Sequence, residues 1–467
     1  MGSRKLTTSS KVQKEHNRKT RNDKDGGYGW FIVLLSMFAH IITYGVSWTV
    51  GVFFVLFLNA FHATKGVTAW AGSLNTACLY IVGPVSSILI NKFGCRPVVI
   101  LGGAIAAVGL GTSALATNIY HLYISFGVVT GVGFGIAYIP YLVIVNHYFH
   151  KKRSIAVGIA VSGIGFGSFI YPPLIETLTH HYGWRGMLII LSGITLNLCV
   201  IGAFMRPFKD MDQHKNQMKV KERVFNIDIF RSLDFLLLCL NNLLFSFGLS
   251  GVYSHLSEYS LVMGIGGPES SMLFSVIGIS NLIGRFMIGF IGSHPVTNAI
   301  LLYIGAFSVS AIATLCLPLF TQYGTLISYA VIFGWSSASF GVLLPGITCK
   351  FLGLEELASG YGVLLPFNAI GTMLGGPVAG FLYDILHSYN ASFIVLGSAM
   401  LLSAVLMVVP YWRERRRPES ILNVDPIKKV KPNVLLDETH HESDLDDSIG
   451  KMELDDLPNR TDVHVDI

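Results

Sequence analysis

Long apolar runs recur along the whole chain, and short polar breaks separate them. Each run has roughly 20 residues, the length that an α-helix needs to cross a hydrocarbon layer about 30 Å thick. Backbone groups in lipid must bond within their own segment and β-barrel alternation is absent, so we predict an all-α membrane protein. The pattern predicts twelve transmembrane helices in two six-helix bundles: Trp30–Leu58, Trp70–Ile90, Val98–Ala116, Leu122–Val145, Ile155–Leu178, Gly186–Phe204, Phe235–Tyr259, Met272–Ile291, Ala299–Leu319, Leu326–Lys350, Ser359–Leu382 and Phe393–Val409.

Composition agrees with this assignment. Hydrophobic residues make up 52% of the 467 residues and charged residues only 13%, about half the share that is usual in soluble domains. A chain of this kind cannot bury its apolar surface in a water-soluble core. The catalytic patterns HExxH, GxSxG and the Walker loop are absent, so we expect no enzyme, no cofactor, no metal site and no nucleic-acid partner.

Two glycine-rich stretches look like nucleotide-binding loops, GVGFG at 131–135 and GIGFG at 163–167. Both lie inside predicted spans, where small residues let neighbouring helices approach closely. We therefore predict helix packing at both stretches.

Basic residues predict the orientation, because cytoplasmic loops carry an excess of Lys and Arg. The N-terminal tail, two short loops and the central loop are basic, whereas the opposite side has little beyond Lys65 and Arg185. Both termini are therefore expected in the cytoplasm. The layout is a basic tail at 1–28, a six-helix bundle at 29–206, a loop at 207–232, a second bundle at 233–411 and a disordered acidic tail at 412–467.

Short motifs are spread over both halves of the chain. DGGYGW opens the first span at 25–30, and YFHKKRSIAVG opens the fifth at 148–158. Further stretches are NKFGCRP at 91–97, FMRP at 204–207 and GGPVAG at 375–380, followed by Asp384. Together they resemble the monocarboxylate transporter family of the major facilitator superfamily. The resemblance implies a transporter whose two halves rock around a site at the membrane midplane.

The first motif, DGGYGW, lies at the start of the first predicted helix. Asp25 either accepts hydrogen bonds from the free N–H groups of the helix N-terminus or pairs with a cytoplasmic arginine. Gly26 and Gly27 allow a tight turn or a close approach to a neighbour, and Trp30 favours the membrane interface. These are structural or gating roles. The basic residues of the second motif are expected to pair with acids such as Asp25: Lys151, Lys152 and Arg153.

Arg285 is the main candidate for substrate binding. It lies deep in the eighth apolar run, within SNLIGRFMIG, and ionisable groups inside spans are costly enough to suggest a function. A guanidinium can grip a carboxylate with two parallel hydrogen bonds. The resemblance implies that Arg285 is the family's substrate-linked arginine; the alternative is a structural arginine bonded to helix carbonyls.

Two positions differ from the lactate carriers of the resembled family. Those carriers have an aspartate four residues before the arginine, where this chain has Asn281. They also have a lysine four residues after a tyrosine, whereas Tyr44 is followed at that spacing by Trp48. Asn281, Tyr44 and Trp48 stay substrate-binding candidates, but the acid and the ammonium are missing.

Two histidines are candidates for replacing the missing groups. The stretch Ser254-His255-Leu256 resembles a His-Leu pair of family members outside the lactate group, so His255 either shares the anion with Arg285 or caps a helix end. His40 lies four residues before Tyr44, on nearly the same helix face. It either relays a proton or forms an ordinary hydrogen bond within its helix.

The sequence leaves three functions open. The first is a secondary transporter of small monocarboxylates or related organic solutes, with uncertain proton coupling. The second is a facilitative carrier of aromatic amino acids, hormones, creatine or carnitine-like solutes. The third is a non-transporting sensor or scaffold. The expected solutes are a small organic anion and, if transport is coupled, a proton. The chain is expected in the lipid bilayer of the plasma membrane. Expected protein partners are a single-span immunoglobulin-like chaperone and a PDZ-type protein that binds the C-terminal Val465-Asp466-Ile467.

Overall fold

A computed structural model describes residues 26–149, 152–206, 232–294, 297–353 and 356–416. Within these ranges the regular elements are helices, which confirms the predicted all-α class. The predictions for Asp25, for Lys151 and for the C-terminal residues 465–467 lie outside the described residues.

The helices are named in chain order. Those of the first half are α1 (Tyr28–Ser47), α2 (Val50–Phe61), α3 (Lys65–Ile81), α4 (Gly83–Phe93), α5 (Cys95–Ser113), α6 (Ile119–Leu122), a π-helical segment (Tyr123–Val129), α7 (Thr130–Tyr148) and α8 (Arg153–Phe204). Those of the second half are α9 (Leu233–Val262), α10 (Gly267–Ser293), α11 (Ala299–Cys316), a 3-10 turn (Leu317–Leu319), α12 (Tyr323–Ser337), α13 (Ser339–Leu352), α14 (Leu357–Leu386), α15 (Tyr389–Leu406) and α16 (Val408–Arg415).

Several helix starts in the second half are capped by the residue that precedes them. Ser232 accepts a hydrogen bond from the Phe235 N–H, and the Asn298 side chain accepts from the N–H groups of Ile300 and Leu301. Ser388 caps α15 in the same way. Such side chains satisfy N–H groups that a helix start leaves without partners, so polar residues mark these helix starts.

The number of membrane crossings follows from length and hydropathy. Ten described stretches are long and apolar enough to cross a membrane, or eleven if α3 and α4, bent by 45°, form one span. The fifth and sixth predicted spans both lie in α8, which consists of two helices that meet at a kink. The kink is at Gly183, with φ 68° and ψ 170°, inside the break that the sequence predicts between these spans. The count of twelve spans stays a prediction.

Many large apolar side chains are exposed along the helices, although apolar residues also form the buried core. Large apolar side chains such as Leu319 and Ile385 are exposed, whereas polar residues such as Asn75, Asn241 and Ser246 are buried. Buried polar groups bond between helices, as when the Asn241 amide donates to the Ser403 carbonyl at 2.8 Å. Polar groups that face other helices and apolar groups that face outward are what a lipid environment favours.

Glycines bring helices into close contact, as predicted for the two glycine-rich stretches. A Cβ atom at Gly163 or Gly167 would collide with carbonyl oxygens of α1, and one at Gly131 or Gly135 would collide with those of α3. Packing at both stretches is therefore confirmed.

Two ends of the helix assembly are distinguished by their contacts. At the Tyr28 end, the Tyr28 hydroxyl donates to the Phe204 carbonyl at 2.6 Å, and the rings of Trp30 and Phe149 lie 4.9 Å apart. At the Lys65 end, α3 begins beside the C-terminal part of α14. The two halves meet along the pairs α2–α9, α3–α14 and α8–α10.

The predicted start of the C-terminal tail at residue 412 falls inside a helix. We placed residues from 412 onward in a disordered tail, but α16 continues to Arg415. Ion pairs hold this helix: Arg413 lies 3.2 Å from Asp234 of α9, and Glu414 pairs with Lys350 of α13. These partners are distant in sequence, so local composition did not reveal them.

Candidate functional site

A cavity of about 810 Å³ lies between the two halves. Helices of both halves line it, and its lining extends toward the Tyr28 end as far as Arg153, whose side chain is exposed. The cavity therefore reaches the surface at that end. Among the described residues, its lining contains two arginines and neither Asp nor Glu. The lining residues that matter for its chemistry are Tyr44, Trp48, Tyr80, Tyr138, Asn146, Arg153, Tyr253, Asn281, Arg285 and Tyr361.

Arg285 lies on α10 and is oriented by Asn281, one helical turn earlier. Its Nε donates a 2.8 Å hydrogen bond to Asn281 Oδ1. The Asn281 amide nitrogen is itself held, because it donates to the Gly334 carbonyl at 3.2 Å and to Ser337 Oγ at 3.3 Å. A guanidinium fixed through Nε can still present its terminal nitrogens to an anion.

The walls around Arg285 are rich in tyrosine. Tyr44 of α1, Tyr80 of α3 and Tyr138 of α7 come from the first half, and Tyr253 of α9 from the second. The rings of Tyr44 and Tyr138 lie 5.6 Å apart. Aromatic faces with hydroxyl edges suit a solute that has an apolar body and a few polar atoms.

Trp48 lies at the break between α1 and α2, where the backbone leaves helical geometry. It lines the cavity, as do Tyr44, Asn281 and Arg285, so four of the five predicted substrate-binding residues share one site. The Trp48 ring packs edge-on against Tyr253 of the other half, with centroids 4.6 Å apart.

His255, the fifth predicted residue, does not line this cavity. Its side chain is fully buried about two turns before the end of α9. The ring Nε2 donates to the Gly376 carbonyl at 2.8 Å, Nδ1 lies 3.4 Å from the Tyr389 hydroxyl, and Phe54 packs on the ring at 4.7 Å. His255 therefore belongs to the contact between the halves on the Lys65 side, and it does not cap a helix end.

His40 is buried behind the cavity tyrosines Tyr44, Tyr80, Tyr138 and Tyr253, which we call the tyrosine wall. Its Nδ1 donates to the Ser36 carbonyl at 2.8 Å, whereas Nε2 has no hydrogen-bond partner among the described residues. The ring is stacked with Tyr44 at 6.1 Å and meets Tyr141 edge-on at 4.7 Å. His40 thus makes the ordinary helix bond and keeps one nitrogen that could accept a proton.

The entrance motif forms a turn, as expected. Gly27 has φ 54°, in the left-handed region that glycine adopts without strain, and Gly26 accepts a backbone bond from Gly29. At the same end of the molecule, Arg153 Nε donates to Asn146 Oδ1 at 2.5 Å. Lys152 is exposed beside it.

Sequence reasoning missed Tyr80, Tyr138, Tyr253 and Asn146. Each lies within or at the end of an apolar run and outside the motifs quoted above. Tyrosines are common near membrane interfaces, so a single one does not reveal that it faces a cavity. Only helix packing brings these residues from three different helices to one place.

Comparisons with known proteins identify the family of this chain. A family model described as Major Facilitator Superfamily matches residues 36–312 and 298–438. Monocarboxylate transporter 12 of Homo sapiens is 30% identical, over 85% of this chain and 83% of the relative. Monocarboxylate transporter 13 of Bos taurus is 31% identical, over 83% of this chain and 91% of the relative.

Solved structures are similar in fold at low sequence identity. A POT family transporter in complex with 5-aminolevulinic acid has a TM-score of 0.67 at 14% identity, over 84% of this chain and 98% of that chain. A bacterial homolog to the human lysosomal transporter Spinster has a TM-score of 0.62 at 14% identity, over 82% of this chain and 96% of that chain. Both likenesses concern the fold alone. Given the family model and the relatives, this chain belongs to the monocarboxylate transporter family of the major facilitator superfamily.

Proposed function

We propose that this protein carries small organic monocarboxylates across a membrane by alternating access. The observation that carries the proposal is Arg285, which lies in a cavity between the halves whose described lining has no acidic side chain. A fixed cation without a counter-ion attracts an anion, and a guanidinium matches the geometry of a carboxylate. The names of the relatives support the same substrate class.

The cavity walls support a mechanism in which the halves move around the solute. Arg285 and Asn281 belong to the second half, whereas Tyr44 and Tyr138 belong to the first. A solute bound by both halves interacts with each, so its binding can favour a conformation in which they close around it. Arg153 and Asn146, where the cavity reaches the surface, lie on the path that the solute would take.

Proton coupling is the least supported part of the family resemblance. Asn281 cannot ionise and Trp48 cannot either, so neither can link a proton to the substrate as the missing aspartate would. We therefore propose a facilitated carrier with weak pH dependence. If a proton acts nevertheless, the candidate groups are His255 and His40, whose Nε2 is buried beside the tyrosine wall.

The aromatic lining favours a second substrate class. Tyr44, Tyr80, Tyr138, Tyr253 and Trp48 surround one arginine, and aromatic faces bind rings or organic cations. Aromatic amino acids, creatine and carnitine-like solutes carry a carboxylate together with such a group, and hormones that have both groups would fit equally. These solutes are the alternative to small aliphatic monocarboxylates.

The remaining expectations are proposals too. The plasma membrane, cytoplasmic termini, an immunoglobulin-like chaperone and a PDZ-type partner rest on the sequence. The family consists of transporters, from which we infer a role other than catalysis.

A flux screen tests the proposal. Purified full-length protein in proteoliposomes would be offered radiolabelled lactate, pyruvate, ketone bodies, aromatic amino acids, creatine and carnitine. We expect saturable uptake of at least one of them, abolished in Arg285→Ala. Binding without net uptake would instead support a sensor or scaffold on a transporter fold.

A further inference from the structure

At the Lys65 end, opposite the opening of the cavity, a lysine of the first half is held by the second half. Lys65 Nζ lies 2.9 Å from Glu258 Oε1 of α9, and the two side chains are only 12% and 14% exposed. The same ammonium lies 3.5 Å from the ring centroid of Tyr383 and 4.7 Å from that of Tyr389. A partly desolvated ion pair with cation–π contacts is stronger than an exposed one.

The start of α3 is capped from the other half of the protein. The N–H groups of Lys65 and Gly66 donate to the two carboxylate oxygens of Asp384 on α14, at 2.9 Å and 2.8 Å. The residue that would normally cap this helix, Thr64, makes no side-chain capping bond. A helix start leaves its first N–H groups unpaired and carries partial positive charge, so a carboxylate binds there favourably.

Backbone packing at this end is as close as the polar contacts. A Cβ atom on Gly380 of α14 would lie 2.7 Å from the Gly66 nitrogen and Cα, too close for any other residue without a shift. Between this contact and the cavity, the rings of Phe54 and His255 meet across the halves. The molecule is therefore shut at the Lys65 end while the cavity reaches the surface at the other.

We propose that Lys65, Glu258 and Asp384 form a latch that closes the Lys65 end of the carrier. The latch has two linked parts, the Lys65–Glu258 ion pair and the cap that Asp384 places on α3. Opening the cavity to this side separates α3 from α9 and α14, which breaks both parts in one motion. This inference rests on the proposed alternating access, because only then does the closed end open during the cycle.

Amide hydrogen exchange at the start of α3 tests the latch directly. The experiment uses purified full-length protein in lipid nanodiscs and follows the amides of residues 65–69 by mass spectrometry. Exchange of the Lys65 and Gly66 amides requires that the Asp384 cap opens. In Glu258→Gln, which leaves the cap residues unchanged, we expect these amides to exchange about tenfold faster, because hydrogen bonds to charged groups contribute strongly to the closed state. Asp384→Asn should accelerate them at least as much.

The chain offers a matched control in Glu414→Gln. Glu414 also pairs with a lysine, Lys350, but both lie in the second half. We expect wild-type exchange at the start of α3 in this variant. Unchanged exchange in a folded Glu258→Gln protein, or equal acceleration in Glu414→Gln, would overturn the latch. If Asp384→Asn does not fold, Glu258→Gln decides the matter alone. Amide exchange is measured without transport. The latch can therefore be confirmed or refuted even if the protein transports none of the tested solutes.

Discussion

Asn281 and Arg285 lie one turn apart on α10, and Asn281 Oδ1 accepts a 2.8 Å hydrogen bond from Arg285 Nε. The amide orients the guanidinium without neutralising it. An aspartate at this position would supply a negative charge beside the arginine and would compete with a substrate anion. The neutral partner therefore leaves the positive charge available to a substrate at any pH near neutrality.

The first prediction concerns the geometry of Arg285. Arg285→Lys keeps the charge but loses the planar pair of donors and the bond to Asn281, since a lysine ammonium has no Nε. We expect the half-saturation concentration for the transported carboxylate to rise about tenfold or more, because hydrogen bonds to charged groups are worth about 1.5–3 kcal/mol. Uptake kinetics in proteoliposomes measure this change, and surface abundance should be that of the wild type. Unchanged kinetics would remove Arg285 from the site.

The second prediction concerns Asn281, the neutral residue that accepts the hydrogen bond from Arg285. In Asn281→Asp, an ionised carboxylate beside Arg285 should weaken binding of the substrate anion at pH 7 by about tenfold. Protonation removes this competition, so uptake should increase as the pH falls, and proton and substrate binding become linked. The pH profile of uptake measures the effect. The control Asn281→Ala removes the hydrogen bond without adding an acid, and its profile should stay as flat as that of the wild type. A flat profile in Asn281→Asp would contradict the proposed role of this position.

The fold class could be predicted from the sequence, because long apolar runs directly indicate that the chain lies in a lipid environment. The exact ends of the helices followed less well. The predicted break between the fifth and sixth spans is present at Gly183, but it is a kink, and the polar residues His180 and His181 beside it remain helical. At the other end of the chain, α16 continues to Arg415 where we expected the tail, and its Glu414 pairs with Lys350. Such contacts join distant parts of the chain, which local patterns do not reveal.

The lining of the candidate cavity could be predicted only in part, because the sequence does not show which residues meet after packing. Arg285 stands out because a charge inside an apolar run needs a reason, and Asn281 stands out only through its spacing from that arginine. His255 has the same kind of signal, yet it lies in the contact between the halves, bonded to the Gly376 carbonyl. A polar residue in a span signals burial among helices. Whether it faces a cavity or another helix depends on tertiary packing.

The third prediction concerns the basic residues of the second motif, YFHKKRSIAVG at 148–158. Replacing Lys151, Lys152 and Arg153 together by Gln removes the positive charge that holds this loop in the cytoplasm, so the triple variant should be misrouted or stalled. Arg153→Gln alone retains two basic residues and should reach the membrane normally. Because Arg153 lines the mouth of the cavity, we expect slower uptake in that single variant. Surface labelling and flux, measured on the same cells, separate the two effects, and normal delivery with normal turnover in the triple variant would refute this role.

The last prediction concerns coupling, where the family resemblance and the residues of the cavity disagree. Net proton symport requires that protonation and substrate occupancy change each other's affinity. In the described lining of the cavity no Asp, Glu or His is present, and the sequence resemblance implies that Asn281 replaces the aspartate of the lactate carriers. We therefore expect that an inward pH gradient across proteoliposomes, with the membrane voltage clamped, does not concentrate the substrate above equilibrium.

Accumulation under that gradient would overturn the prediction, and two variants would then identify the responsible group. His40 packs on Tyr44, which lines the cavity, and its Nε2 is free of hydrogen bonds to the described residues. A proton on His40 Nε2 could therefore change the electrostatic environment of the cavity through Tyr44. His255 is bonded through Nε2 to Gly376 and lies toward the Lys65 end, so its protonation would act on the contact between the halves. Loss of accumulation in His40→Gln would assign coupling to the substrate cavity, whereas loss in His255→Gln would assign it to opening and closing of the carrier.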